Sequence, residues 1–198
     1  MTEVLAALPE RSKPYIQNLM AEWPLGIKIT KERFSKHGDY RKYSNGNHEI
    51  TLNKTDNPYR FLITLLHEIA HFITFEKFGN RIKPHGTEWK QVYKEIMLPL
   101  LHPEIFPKEL LAVLAAHFKN PKAATDTDFN LVCALHRYDS NPDKTYIFEL
   151  NEGEVFSLTN GRKFIRGPQR RKRFECTALP SHKKYLVSPH AVVKREKI

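Results

Sequence analysis

The sequence predicts an α+β fold, with a mixed body over residues 1–140 followed by a small basic β module over residues 141–198. Three observations carry this expectation. Residues 59–78 repeat apolar side chains with a period near 3.6, whereas 25–53 and 145–188 alternate with a period near two and favour β-branched residues. Turn dipeptides such as Asn45-Gly46 and Asn160-Gly161 punctuate the alternating segments. Charge divides the chain as well. Residues 1–160 hold 20 Lys+Arg and 20 Asp+Glu, while residues 161–198 hold 12 Lys+Arg against Glu175 and Glu196, so the whole net charge of +10 lies in the last 38 residues.

Taken in order, Ser12–Trp23 sets Tyr15, Ile16, Leu19, Met20 and Trp23 at helical spacing, with Pro24 to end the helix. Leu25–Thr30 reads as a strand. Tyr40–Ser44 and His48–Leu52 follow, joined through Asn45-Gly46, which predicts a type I′ hairpin. Together they predict a small antiparallel sheet within residues 25–53. The helix of residues 59–78 is expected to start at Asn57 and Pro58 and to stop at Gly79-Asn80. A second helix is expected from Thr87, burying Trp89, Val92, Tyr93, Ile96 and Met97 and ending before Pro99. Lys108–Phe118 and Phe129–Tyr138 are helical patterns separated by Asn120-Pro121. Thr145–Leu150, Glu154–Thr159, Arg162–Arg166, Arg173–Leu179 and Lys184–Ser188 read as short strands.

Composition excludes several classes. With 40% hydrophobic residues the chain can bury a core. Its longest apolar runs, Phe61–Leu66 and Leu110–Ala116, are far shorter than the roughly 20 residues of a membrane span. The N-terminus carries Glu3 in place of the basic start of a signal peptide, and two cysteines cannot build a disulfide framework. A soluble cytoplasmic protein is expected, nucleoid-associated if bacterial, with a polyanion as partner of its basic end.

The chemistry is written in His67-Glu68-Ile69-Ala70-His71. Four residues apart on a helix, the two imidazoles share a face and can meet at one ion. Glu68 lies about 100° around the helix from His67, close enough to serve as a base without being a ligand. This is the pattern of a zinc hydrolase, which needs a third protein ligand as well. A histidine six residues after His71 is excluded, because Lys77 stands there. Glu88 and Glu95 on the next helix are candidates. So is His85 in Lys83-Pro84-His85-Gly86-Thr87-Glu88-Trp89, which imidazole's preference for zinc favours. Imidazole ligands also accept manganese, iron, cobalt or nickel.

The stretch LLHEIAH, then a short loop and HGTEW, resembles the SprT/Spartan family of zinc metalloproteases. Gly38-Asp39-Tyr40 and Glu49–Asn53 are similar to that family's sheet. The resemblance covers residues 25–100 well and the C-terminal module loosely. It implies a zincin-like metalloprotease core, zinc held by His67, His71 and His85, and Glu68 as general base. The activity it implies is cleavage of proteins held on DNA, including covalent DNA–protein crosslinks. Bacterial members commonly end in a zinc ribbon with two Cys-x-x-Cys pairs, which this chain lacks. The expectation is a ribbon-like β module without its metal, packed around Tyr146, Phe148, Phe156, Phe164, Phe174 and Tyr185, with Cys133 an ordinary buried residue. A second zinc on Cys133, His136, Cys176 and His182 is the less favoured alternative.

Within that module, Arg162, Lys163, Arg166, Arg170, Arg171, Lys172 and Arg173 form a basic run. It predicts sequence-independent binding to DNA or RNA phosphates. Arg170–Arg173 reads as the turn between two strands, and Phe164 and Phe174 as core residues in preference to base-stacking ones. His37, His48 and Tyr93 are candidates for stabilising an oxyanion. The competing account is a non-catalytic nucleic-acid-binding accessory protein of transcription or repair with a structural zinc. In that account Glu68 has no task.

Overall fold

The computed structural model describes residues 2–23, 25–31, 33, 36–122, 127–140, 145–171, 173–189 and 191–196. Pro24 and Lys172, both singled out above, lie outside the described residues. The chain divides into two compact units, Met1–Asp139 and Ser140–Ile198. Among the described residues no helix is long and apolar enough to cross a membrane.

The first unit is mixed α and β. Helices α1 (Thr2–Ala6) and α2 (Lys13–Glu22) precede strands β1 (Gly26–Thr30), β2 (Gly38–Lys42) and β3 (His48–Asn53). Helices α3 (Pro58–Phe78), α4 (Thr87–Met97), α5 (Lys108–Phe118) and α6 (Phe129–His136) follow. The core gathers around α3, which buries Phe61, Leu62, Ile63, Leu65, Leu66, Ile69, Ala70, Phe72 and Ile73. An apolar surface this wide requires neighbours on several sides, and the sheet and α4 supply them. At its start the Asn57 side chain accepts from the Arg60 amide, and Pro58 occupies the first turn where its missing N–H is harmless. Gly79, at φ +69°, ends it.

The sheet runs β1-β3-β2 and is mixed, which corrects the antiparallel expectation. β2 and β3 form the antiparallel hairpin, but β1 lies on the far side of β3 and runs parallel to it, Ile27 beside Ile50 and Ile29 beside Leu52. The reason lies in the connection after β1. Asn53 donates to the carbonyls of Arg33 and Lys36 at 3.0 and 2.8 Å, and its own amide donates to the His37 carbonyl at 2.8 Å. Arg33 in turn donates to Asn53 Oδ1 at 2.7 Å and to Thr51 Oγ1 at 3.0 Å. These bonds carry the chain across the end of β3 and deliver β2 to its other edge.

The hairpin turn differs from the type I′ expectation too. The Gly46 amide donates to the Tyr43 carbonyl and the Tyr43 amide to the Asn47 carbonyl, at 3.1 and 2.9 Å. Gly46 takes φ +84°, whereas Asn45 is not among the positive-φ residues. This is the type I turn followed by a left-handed glycine. The Asn45 side chain accepts from the Asn47 amide, and Asn160 repeats the arrangement on Arg162 before the left-handed Gly161.

The second unit is a six-stranded antiparallel sheet in the order β4-β9-β5-β6-β7-β8. Its strands are β4 (Thr145–Tyr146), β5 (Val155–Leu158), β6 (Lys163–Arg170), β7 (Arg173–Leu179), β8 (Lys184–Val187) and β9 (Val192–Arg195). The first expected strand shrinks to two residues because Ile147–Glu149 close a 3-10 turn, and β9 was not foreseen. Phe156, Phe164 and Phe174 form the core with Ile147, Leu150, Cys176, Ala178 and Val193, and Phe148 packs against it. Tyr185 is 37% exposed and so is not a core residue, while Cys133, expected to be buried, is only half-buried.

Candidate metal centre

His67 and His71 sit one turn apart on α3, where helical spacing alone brings their rings together. The third histidine arrives from the loop ahead of α4. His85 adopts φ +58°, a left-handed backbone uncommon outside glycine, between Pro84 and Gly86. Gly86 serves this bend, since its amide donates to the Lys83 carbonyl at 2.9 Å and a Cβ would stand 2.9 Å from that oxygen. The three Nε2 atoms converge, with 3.2 Å between His67 and His71, 2.9 Å between His71 and His85, and 3.2 Å between His67 and His85.

Trp89 on α4 backs all three rings, with centroids 4.7, 5.2 and 4.7 Å from those of His67, His71 and His85. Tyr93, one turn on, lies against His67 and donates its hydroxyl to the Ile63 carbonyl. That bond commits the hydroxyl to the core, so Tyr93 acts as a wall and not as an oxyanion donor. Burial and mutual repulsion push His67 and His71 down to about 3, and burial lowers His85. All three are therefore neutral near pH 7, the form in which imidazole binds metal.

Three neutral imidazoles facing each other at this range bring lone pairs together with too few protons to share, which a cation relieves. The spacing agrees. Four-coordinate zinc with Zn–N near 2.0–2.1 Å sets its ligand nitrogens roughly 3.3 Å apart. Among the described residues this is the one group of three or more His, Cys, Asp or Glu placed to hold a metal ion. Glu88 and Glu95 do not join it, and Glu95 accepts from Gln91 instead.

Glu68 is 7% exposed and is held from the β2 side. Its carboxylate accepts from the Tyr40 amide. Burial and the neighbouring Asp39 raise it to about 8, against the pull of that amide, Arg33 and Lys36. Tyr40 lies between two imidazoles, parallel to His71 at 6.4 Å and to His48 at 5.8 Å, and its hydroxyl meets His48 Nδ1 at 2.7 Å. His48 leans further on Phe72 and Phe75 and on Glu76. His37 contributes its carbonyl to the Asn53 hub. The roles of Gly38 and Tyr40 were not legible from residue type, although their place in the first strand of an Asn-Gly hairpin was the available signal.

The basic run is dispersed by the strand period. Arg162 lies over the Phe164 and Tyr185 rings at 5.2 and 4.8 Å, and Arg166 over Phe174 at 4.2 Å. Lys163 pairs with Glu196 at 3.0 Å and Arg170 with Glu175 at 3.2 Å. Arg171 stands exposed in the tight turn with φ +52°, and Arg173 begins β7. Phe164 and Phe174 are buried, so neither is open to a base.

A family model described as SprT-like matches residues 14–106. A protein called Protein SprT from Pseudomonas fluorescens strain Pf0-1 is 34% identical over 68 residues, 34% of this chain and 42% of its own. Proteins of the same name from Vibrio atlanticus and Pseudomonas aeruginosa strain LESB58 are 42% and 48% identical. Those matches cover 24% and 17% of this chain, and 31% and 20% of theirs. The chain thus spans less than half the length of these curated relatives. No solved structure matches it. Residues 14–106, the stretch that is similar to the SprT-like family, contain the three-stranded sheet, α3 and all three converging histidines.

Proposed function

We propose that the chain is a zinc-dependent endopeptidase of the SprT-like type, acting on proteins associated with or crosslinked to DNA. The observation that carries this reading is the meeting of three neutral imidazoles, two of them on a helix whose next residue after His67 is a buried, oriented carboxylate. His67, His71 and His85 would hold the ion. When bound, zinc supplies Lewis acidity toward a water and a peptide carbonyl. Glu68 takes the proton from the attacking water and passes it to the leaving amine nitrogen. A nearby positive charge favours the ionised carboxylate and opposes the effect of burial. The Tyr40 amide fixes the direction in which Glu68 works.

Protein substrates suit the sheet. β2 is its outer strand beside Glu68, so an extended peptide can add to that edge with main-chain hydrogen bonds. The excess of +10 over residues 161–198 supports a nucleic acid as the surface on which substrates are met. Exposed Arg171 and Arg173 are the foremost phosphate contacts, joined by Arg162 and the paired Lys163 and Arg170.

The test is cleavage of a DNA-binding protein crosslinked to an oligonucleotide, comparing wild type with Glu68→Gln at equal zinc content. Loss of at least 10²-fold in the variant is expected. Equal cleavage by both would remove Glu68 as the base. No cleavage by either, with zinc bound, would favour the accessory-protein account.

A further inference from the structure

We propose that the open edge of β8 receives one more strand, an extended acidic segment of a partner protein. β8 is the last strand of the six-stranded sheet and, among the described residues, pairs only with β7, Cys176 opposite Tyr185 and Phe174 opposite Val187. The Ala178 amide donates to the Lys183 carbonyl at 2.8 Å, which sets the phase of the antiparallel ladder. Tyr185 and Val187 therefore face β7 with their main-chain groups, while the amides and carbonyls of Lys184 and Leu186 point outward.

Side chains make this edge adhesive. Leu186 is 55% exposed and Tyr185 37%, and as neighbours in a strand they stand on opposite faces of the sheet. An added strand gains an apolar contact on each face as well as the ladder. Exposed edges are commonly guarded by proline, a bulge or an unpaired charge. β8 contains no proline, and its lysine, Lys184, turns back to pair with Glu175 of β7 at 2.8 Å. The opposite edge strand, β4, is two residues long.

Charge selects the occupant. Arg162 covers the Tyr185 ring at 4.8 Å, exposed Lys183 and Arg173 flank the strand, and the surrounding residues 161–198 carry +10. A second copy of this unit meets like charge, whereas an acidic strand is drawn in. Outward main-chain groups flanked by alternating apolar side chains match a peptide better than a nucleic acid, which offers no complementary ladder.

The experiment uses the full chain and a ten-residue peptide alternating glutamate and valine, with a control of the same composition in which the glutamates and valines are grouped in two blocks. Calorimetry is expected to show saturable binding of the alternating peptide only, with slowed amide exchange at Lys184 and Leu186. Leu186→Pro, which removes an outward amide at a tolerant edge position, should weaken binding at least tenfold. Leu186→Glu keeps that amide but places like charge beside the peptide, and should weaken it as well. Absent binding, binding indifferent to both variants, or equal binding of the blocked peptide would overturn the proposal. So would protection of Lys184 and Leu186 that an oligonucleotide produces and the peptide does not, or that grows with protein concentration alone, since these would assign the edge to nucleic acid or to self-association.

Discussion

Gly38 stands so close to Glu68 that a Cβ at residue 38 would lie 2.7 Å from the carboxylate Oε1 and 2.8 Å from its Cγ. The absence of a side chain is what lets β2 rest on α3 beside the His-Glu pair. Gly38→Ala must push either the strand or the carboxylate aside. We expect a loss of about 1–3 kcal/mol in stability, as for other overpacked sites. We also expect cleavage to fall well beyond what that loss explains, while zinc content stays near wild type. Thermal melts, elemental analysis and cleavage on the same preparation separate the three effects. Unchanged cleavage would show that Glu68 tolerates the shift.

The three histidines predict a metal-dependent melting temperature. An ion that binds only the folded chain adds about 2.7 kcal/mol at a hundredfold excess over its dissociation constant, or several degrees in a protein of this size. Zinc should therefore raise the melting temperature of the wild type and leave His67→Ala almost unmoved. His85→Ala should retain the His67–His71 pair and show a reduced shift. An equal shift in all three proteins would place the zinc elsewhere.

Asp139 predicts an acid-sensitive joint between α3 and the end of α6. Its carboxylate meets Arg60 at 2.9 Å and Asn57 Nδ2 at 2.7 Å, close to the His136 ring. Burial pushes it upward, but Arg60, Asn57 and His136 prevail and hold it below the ordinary value of 3.8. A depressed native value means the contribution is complete above pH ~4 and fades as pH falls through the lower value. Asp139→Asn should lose about 1–3 kcal/mol at pH 7 and show a flatter stability curve between about pH 2 and 4. Denaturant titrations across that range check it, and parallel curves would discard it.

The dispersed basic run separates binding from packing. Each phosphate contact removed should lower the slope of log affinity against log salt by about 0.9 on duplex DNA. Arg171→Ala with Arg173→Ala should reduce the slope by up to about two without altering the melt. Arg166→Ala should instead destabilise the second unit, because this side chain covers Phe174. A filter-binding series over salt, alongside melts, distinguishes them, and a wild type with no salt slope would remove the nucleic-acid partner.

Much of this was legible because it is local. The period of residues 59–78, the cap at Asn57, and the four-residue spacing of His67 and His71 are properties of a single helix. Hairpin β2–β3 was legible for the same reason. The parallel placement of β1 was not, since it rests on Asn53 gripping residues 16 to 20 positions earlier in the chain, where no period exists to detect. The same distance hides the Tyr40 amide that orients Glu68. Strand β9 escaped because four residues, Val192–Arg195, carry too little alternation to stand out from a charged terminus. Charge density in the basic run suggested one surface, yet a strand sends neighbours to opposite faces and ion pairs take some of them.

Two of the converging nitrogens belong to one rigid helix, and the third hangs from a bend that holds a non-glycine residue at positive φ. Such a backbone stores on the order of 1–3 kcal/mol that something else must hold in place. An ion on Nε2 is what can hold it. A bound ion and the bend would latch each other. Exchange of such an ion would begin at His85, with the helical pair still in place to catch it again, and chelators would then strip the site at the speed at which this one residue lets go.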